Sequence, residues 1–144
     1  MENKPSKYLI WAFLILATIG FIDASYLTVS HLTGSAVNCS VTGGCDTVLA
    51  SKYSEILGIP LSYLGLAYYA TIFFIALYYL DGHNKKALQF LTIIPLSGFA
   101  FSLYLVYLQF FIIEAICQYC MVSAINSTIL AILGLFLLKF WRKK

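Results

Sequence analysis

Four long apolar segments restrict the possible fold of this chain more than any other feature of its sequence. They run approximately over Tyr8–Ser30, Leu61–Leu80, Leu88–Ile113 and Met121–Leu138. A helix needs about 20 residues to cross the roughly 30 Å hydrocarbon core of a bilayer, and each segment is close to that length or longer. Asp23 is the only charged residue well inside any of them. The sequence therefore predicts four transmembrane helices, called spans 1 to 4 in chain order.

The composition agrees with a membrane protein. Hydrophobic residues make up 61% of the chain and charged residues only 10%, whereas a soluble domain carries about 25% charged residues. A membrane β-barrel would show short segments of alternating polarity, which are absent here. We therefore expect an all-α membrane protein, a four-transmembrane-helix bundle that forms a single domain over residues 1–144.

The basic residues predict the orientation of this bundle. Eight of the nine Lys and Arg residues flank the spans at one end, and only Lys52 lies at the other; the eight are Lys4, Lys7, Lys85, Lys86, Lys139, Arg142, Lys143 and Lys144. Cytoplasmic ends of membrane helices are enriched in Lys and Arg, so this distribution predicts that both termini are cytoplasmic. The net charge of +3 thus indicates membrane topology rather than binding to nucleic acid.

All four cysteines fall in the two connections that this topology places outside. Cys39 and Cys45 lie between spans 1 and 2, and Cys117 and Cys120 lie at the start of span 4. In a prokaryote that side is oxidising, and disulfides persist there. Three pairings are possible, and the short spacings favour Cys39–Cys45 and Cys117–Cys120 as the resting pairs.

The CQYC motif at Cys117–Cys120 indicates reactive rather than structural sulfur. A cysteine at a helix N-terminus sees the positive end of the helix dipole, which favours the thiolate. A disulfide that closes so small a loop would stabilise the fold only slightly. At helical spacing Cys120 shares a face with Ser123, Ala124 and Ser127, and this small, mildly polar face suits a flat ligand against the thiol. A dithiol here could reach both water-borne proteins and lipophilic carriers such as quinones.

The segment CDTVLASKYSEILGIPLSYLG, which begins at Cys45, predicts a short interfacial helix in the outer loop between spans 1 and 2. Its apolar residues recur at spacings that suit one helix face; they are Val48, Leu49, Tyr53, Ile56 and Leu57. Asp46 could begin this helix, and Gly58 with Pro60 could end it before span 2. An ordinary amphipathic connector explains the same pattern equally well.

Taken together, these motifs resemble those of the vitamin K epoxide reductase family. The likeness rests on the four cysteines in order, on Ser51 six residues after Cys45, and on a Gly-x-Pro motif before span 2. It extends from DASYLTVSHL in span 1 to span 4, and more specifically the chain resembles the prokaryotic members that form disulfides. The resemblance implies that Cys117 and Cys120 are the active-site pair, that Cys120 faces a quinone, and that Cys39 and Cys45 are a shuttle pair.

The resemblance also implies an activity. Prokaryotic members oxidise a thioredoxin-like (DsbA-like) protein outside the cytoplasmic membrane and pass the electrons to ubiquinone or menaquinone. Many of them carry a fused thioredoxin-like domain after the last span. Because this chain stops at Lys144, we expect its partner to be a separate protein.

Three further positions are candidates for contact with the quinone: Ser51, Leu61 and Ala124. Ser51 matches the family's serine in the loop. Leu61 and Ala124 stand where vertebrate members have an asparagine and a tyrosine, a difference that favours a plain quinone over vitamin K epoxide as the substrate.

Asp23 is a further candidate for function, and three other functions remain compatible with the sequence. An acid within a membrane span is costly and usually functional or paired, so Asp23 could relay protons or make a structural hydrogen bond. The thiol chemistry requires no metal, whereas a rival interpretation is a zinc site of four cysteines. A second rival is a structural protein with two inert disulfides, and a third is the same enzyme with electrons flowing in reverse.

Overall fold

The computed structural model describes residues 5–34 and 43–142, without the side chain of Trp141. It contains five α-helices: α1 (Lys7–Thr33), α2 (Cys45–Leu49), α3 (Leu61–Gly82), α4 (Lys85–Tyr107) and α5 (Gln118–Arg142). A π-helix, Leu108–Ile113, continues α4 directly. Four of these helical segments are long and apolar enough to cross a membrane, namely α1, α3, α4 with its π-helix, and α5. The prediction of a four-helix membrane bundle is therefore confirmed.

Polar residues cap the helices where the apolar segments end. The Ser6 hydroxyl accepts a hydrogen bond from the Tyr8 amide at the start of α1, and the Asn84 side chain accepts one from the Lys86 amide at the start of α4. Such caps satisfy amides that have no partner within the helix. Only His83 and Asn84 separate α3 from α4, so these two helices run antiparallel as neighbours.

The helices pack as two close pairs, α1 along α3 and α4 along α5. Their shared core is apolar, with Phe13, Ile72, Leu91 and Leu130 completely buried. Glycines allow tyrosine rings of α3 to fit between the helices, because a Cβ atom at Gly20 or Gly98 would overlap the ring of a tyrosine. Close packing through small residues is typical of membrane helices.

A few buried polar side chains connect the helices within this core. The Tyr69 hydroxyl lies 2.8 Å from Ser123 Oγ, and the Tyr68 hydroxyl lies 3.2 Å from Ser127 Oγ. Asn126 Nδ2 donates a hydrogen bond of 2.9 Å to the carbonyl of Leu16. These bonds join α3 and α1 to α5, and Ser123 and Ser127 lie on the face of α5 that they share with Cys120.

The outer loop differs from the single short helix that the sequence predicts. The helix α2 has only five residues and is followed by a 3-10 helix, Lys52–Ser54, and a hairpin of strands β1 (Glu55–Ile56) and β2 (Ile59–Pro60). Leu57 and Gly58 form the turn with φ of 53° and 80°, as two-residue hairpin turns require. The expectation that Ile56 and Leu57 share a helix face with Val48 was therefore wrong, and Leu57 is 97% exposed.

Candidate active site

Cys117 occupies the position immediately before α5. Its carbonyl accepts a hydrogen bond from the Met121 amide at 3.0 Å, which begins the helix, and its side chain is 0% exposed. The Cys120 amide lies 3.4 Å from Cys117 Sγ. Both cysteines are free thiols, so the predicted disulfide between them is open in this structure. The prediction that the motif begins the last helix is confirmed.

The surroundings of Cys117 favour its thiolate. The hydrogen bond from the Cys120 side chain lowers the pKa of Cys117, and the backbone amides of Cys120 and Tyr119 act in the same direction against the effect of burial. Amides at a helix N-terminus have this effect in reactive CxxC motifs. In the reduced pair, Cys117 is therefore the sulfur that ionises more readily, with the Cys120 side chain as its hydrogen-bond donor.

Replacing Cys120 with alanine should raise the pKa of Cys117. The main stabilising donor is then absent, so a higher pH is needed to form the same fraction of thiolate. The pH profile of Cys117 alkylation, followed by mass spectrometry with Cys39 and Cys45 also replaced by alanine, measures this pKa directly. Cys120→Ser keeps a hydrogen-bond donor and should shift the midpoint less, and an unchanged midpoint in Cys120→Ala would contradict the assignment.

Gln109 holds the backbone of Cys117, a role that the sequence analysis missed. Its Oε1 atom accepts a hydrogen bond of 3.0 Å from the Cys117 amide, and the residue is only 3% exposed. It belongs to the π-helix at the end of α4, and such irregular turns are frequent at functional sites. The sequence did contain a signal for this role, because Gln109 is a single polar residue in an otherwise apolar stretch. A polar side chain within a membrane span usually has a hydrogen-bond partner.

Gln109→Leu should destabilise the protein and loosen the segment around Cys117. The buried Cys117 amide would lose its acceptor, which costs about 1–3 kcal/mol of unfolding free energy. Alkylation of Cys117 should become faster as the segment opens more often. Gln89→Leu is the matched control, because Gln89 lies on the same helix but is exposed. Equal thermal stability of the two variants in detergent would show that the hydrogen bond is unimportant.

Cys45 lies directly beside the motif at the start of α5. It is 0% exposed and shares a buried cluster with Leu27, Val48 and Cys117. The backbones also touch, since a Cβ atom at Gly44 would lie 2.7 Å from the carbonyl oxygen of Ile116. Cys45 is disulfide-bonded, while Cys39, its predicted partner, lies outside the described residues. The loop and the CxxC motif therefore meet at the same end of the bundle.

A cavity of about 420 Å³ opens beside Cys120. It lies between α1, α3, α4 with its π-helix, and α5, and residues of α2 and the following turn complete its wall. All the residues that the sequence analysis proposed for quinone contact or proton transfer line it, namely Asp23, Ser51, Leu61 and Ala124, and Cys120 lines it as well. Cys45 and Cys117 do not.

The cavity walls fit a flat, lipophilic ring with a few polar atoms. Apolar side chains form much of the lining; they include Leu27, Leu49, Leu105, Val106 and Ile113. Ser51 Oγ donates a hydrogen bond of 2.7 Å to the carbonyl of Val48, so its proton is already engaged. Asp23 Oδ2 is buried and has no hydrogen-bond partner among the described residues. Small-molecule sites typically have this composition and a volume of about 300–1,000 Å³.

Metal-binding side chains do not cluster within the described part of the chain. Among residues 5–34 and 43–142, no three His, Cys, Asp or Glu side chains lie close enough together to hold a metal ion. A site made from all four cysteines needs Cys39, which those ranges do not include. The zinc alternative is therefore decided by a metal assay.

Four membrane-crossing helices with a reduced CxxC pair at the edge of an apolar cavity are the architecture of a membrane thiol-disulfide oxidoreductase. A family model described as the vitamin K epoxide reductase family matches residues 11–135, which is most of the chain. The protein therefore belongs to the vitamin K epoxide reductase family and is an integral membrane oxidoreductase. Members of this family are in general linked to quinones and work with thioredoxin-like redox partners.

Proposed function

We propose that this protein oxidises a thioredoxin-like partner outside the membrane and passes the electrons to a quinone within it. One observation carries the proposal. Cys117 is buried in one cluster with Cys45 of the outer loop, while Cys120, one helical turn further on, lines the apolar cavity. Such a pair has one sulfur placed for exchange with the loop and the other placed for a lipophilic acceptor.

The first step takes electrons from the partner. A thiolate of the reduced partner attacks Cys39 of the Cys39–Cys45 disulfide, and Cys45 leaves as a thiolate. The second thiol of the partner then displaces Cys39, so that the partner leaves with a disulfide and the loop pair is reduced. This pairing is supported by the disulfide at Cys45 together with the free thiols of Cys117 and Cys120. Each exchange requires a thiolate with access to the sulfur that it attacks.

The second step moves the electrons from the loop to the helix. The Cys45 thiolate attacks Cys117 of the Cys117–Cys120 disulfide, and Cys120 leaves as a thiolate. Cys39 then attacks Cys45, which restores the loop disulfide and releases Cys117. The burial of Cys45 and Cys117 in one cluster, with the Gly44 backbone against Ile116, supports this exchange.

The third step restores the disulfide at the helix. When Cys117 and Cys120 form their S–S bond again, two electrons leave the pair through Cys120 at the cavity. A quinone bound there would supply the electron acceptor, and the proposed contacts Ser51, Leu61 and Ala124 all line this cavity. Cys45 in a disulfide beside a reduced helix pair is the state that comes before this step.

We also propose the orientation that this reaction needs. The Lys and Arg residues favour cytoplasmic termini, which places the cysteines outside the cytoplasmic membrane of a prokaryote. A separate thioredoxin-like (DsbA-like) protein could then reach the loop from the water, and ubiquinone or menaquinone could reach the cavity from the bilayer.

The direct test combines the purified protein, a reduced thioredoxin-like partner and a soluble quinone. We expect quinone absorbance to fall while an equal amount of partner disulfide forms. A measurement of zinc in protein prepared without chelator runs beside it. Stoichiometric zinc together with no quinone consumption would contradict the proposal and favour a zinc site. If added quinol reduced the oxidised partner faster than quinone oxidised the reduced partner, electrons would flow in the opposite direction to the one proposed.

A further inference from the structure

We propose that Asp23 supplies the second proton when the Cys117–Cys120 pair reduces the quinone. The inference rests on the proposed function and assigns a catalytic role that the cysteines cannot fill. Asp23 is positioned for this role, because Asp23 on α1 and Cys120 on α5 line the same cavity.

The hydrogen bonding around Asp23 argues against a purely structural role. Its Oδ2 atom is buried and has no partner among the described residues. The neighbouring Tyr69 hydroxyl is already engaged, since it lies 2.8 Å from Ser123 Oγ. A bare charge in such a place is costly. The carboxyl group is therefore best held as the neutral acid, with its proton available to a ligand in the cavity.

The proton count of the reaction requires such a group. The reduced pair reacts as one thiolate and one thiol, because the thiolate is the reactive form of a cysteine, and it therefore carries one proton. Formation of the S–S bond releases two electrons and this single proton. Conversion of a quinone to a quinol takes up two electrons and two protons, so one proton must come from elsewhere. Asp23 donates this proton from Oδ2 and later regains a proton from the outer water. His31 and Asp46 also line the cavity.

The first test needs no quinone. The infrared spectrum of the reduced protein at neutral pH should contain a C=O band of a protonated carboxylic acid. Asp23→Asn should remove this band, and Asp23→Glu should shift it without removing it. A spectrum of the unaltered protein that contains no such band would overturn the inference without any substitution.

The second test separates the two halves of the reaction. Asp23→Asn should accept electrons from the reduced partner at the rate of the unaltered protein, which also shows that the variant is folded. Its single-turnover transfer to a soluble quinone should slow by about 100-fold, the size expected for loss of a general acid. Asp23→Glu, which keeps the acid, should recover most of that rate.

The outcomes distinguish the two claims. If the unaltered protein does not reduce any quinone, the proposed function fails whatever Asp23 does. If it reduces quinone and Asp23→Asn does so equally fast, the function stands and the role of Asp23 is refuted.

Discussion

Cys120→Ala is expected to stop quinone reduction while the protein remains folded. Cys120 is the sulfur of the pair that lines the cavity, and without it no disulfide can form at the start of α5. Turnover with reduced partner and quinone should fall by more than about 1,000-fold, as is common when an essential nucleophile is removed. The loss should be the same for Cys117→Ala, because each cysteine is needed for the same bond.

The control for this experiment lies on the same helix. Ile125 is 62% exposed on α5, and Ile125→Ala should keep the turnover of the unaltered protein. Thermal unfolding of all three variants in detergent checks that the fold is retained. Substantial turnover by folded Cys120→Ala protein would mean that the electrons reach the quinone by another route.

Gly44→Val should separate the loop from the CxxC motif and slow the exchange between them. A Cβ atom at this position would lie 2.7 Å from the Ile116 carbonyl oxygen and 2.9 Å from its amide nitrogen, and backbone atoms cannot yield as a side-chain end can. The loop must therefore move away from Cys117. We expect transfer of electrons from the loop to the helix pair to slow by at least about tenfold, which corresponds to roughly 1.4 kcal/mol in the barrier.

Two comparisons make the effect of Gly44→Val specific. Gly43→Asn is the matched control, because Gly43 has φ of 64° and nothing within 4 Å of a built Cβ atom, and asparagine tolerates this conformation. Quinone reduction by protein whose helix pair is reduced chemically should be normal in both variants. Rapid-mixing measurements of each half-reaction provide the rates, and equal loop-to-helix rates in the two variants would rule out the contact as the route.

The membrane helices could be predicted because their signal is local. An apolar segment of sufficient length is recognised from the sequence alone, and the observed α3 begins at Leu61 as expected. The outer loop could not be predicted in this way. Its apolar residues fit a helix face and a short hairpin almost equally well. The positive φ angles of Leu57 and Gly58 distinguish the hairpin that forms from a helix.

Some features of the site could likewise be predicted from the sequence, and others could not. The cysteine spacing predicted a reactive pair at the start of the last helix, and a lone acid in an apolar span marked Asp23. The hydrogen bond from the Cys117 amide to Gln109 could not be predicted, because it depends on a π-helix that brings the two together. The burial of Cys117 likewise depends on how α2 packs against the end of α4, whereas the family resemblance already implied that Cys120 faces the ligand.

The central claim is that Cys45 and Cys117 exchange sulfur bonds directly, and a protein that retains only these two cysteines tests it. The variant combines Cys39→Ala with Cys120→Ala, and mild oxidation followed by mass spectrometry of unreduced peptides measures the bond. We expect a Cys45–Cys117 disulfide to form rapidly, and faster than a Cys45–Cys120 disulfide in the variant that keeps that pair instead. A folded variant in which Cys45 and Cys117 remain free thiols under the same oxidation would contradict the account.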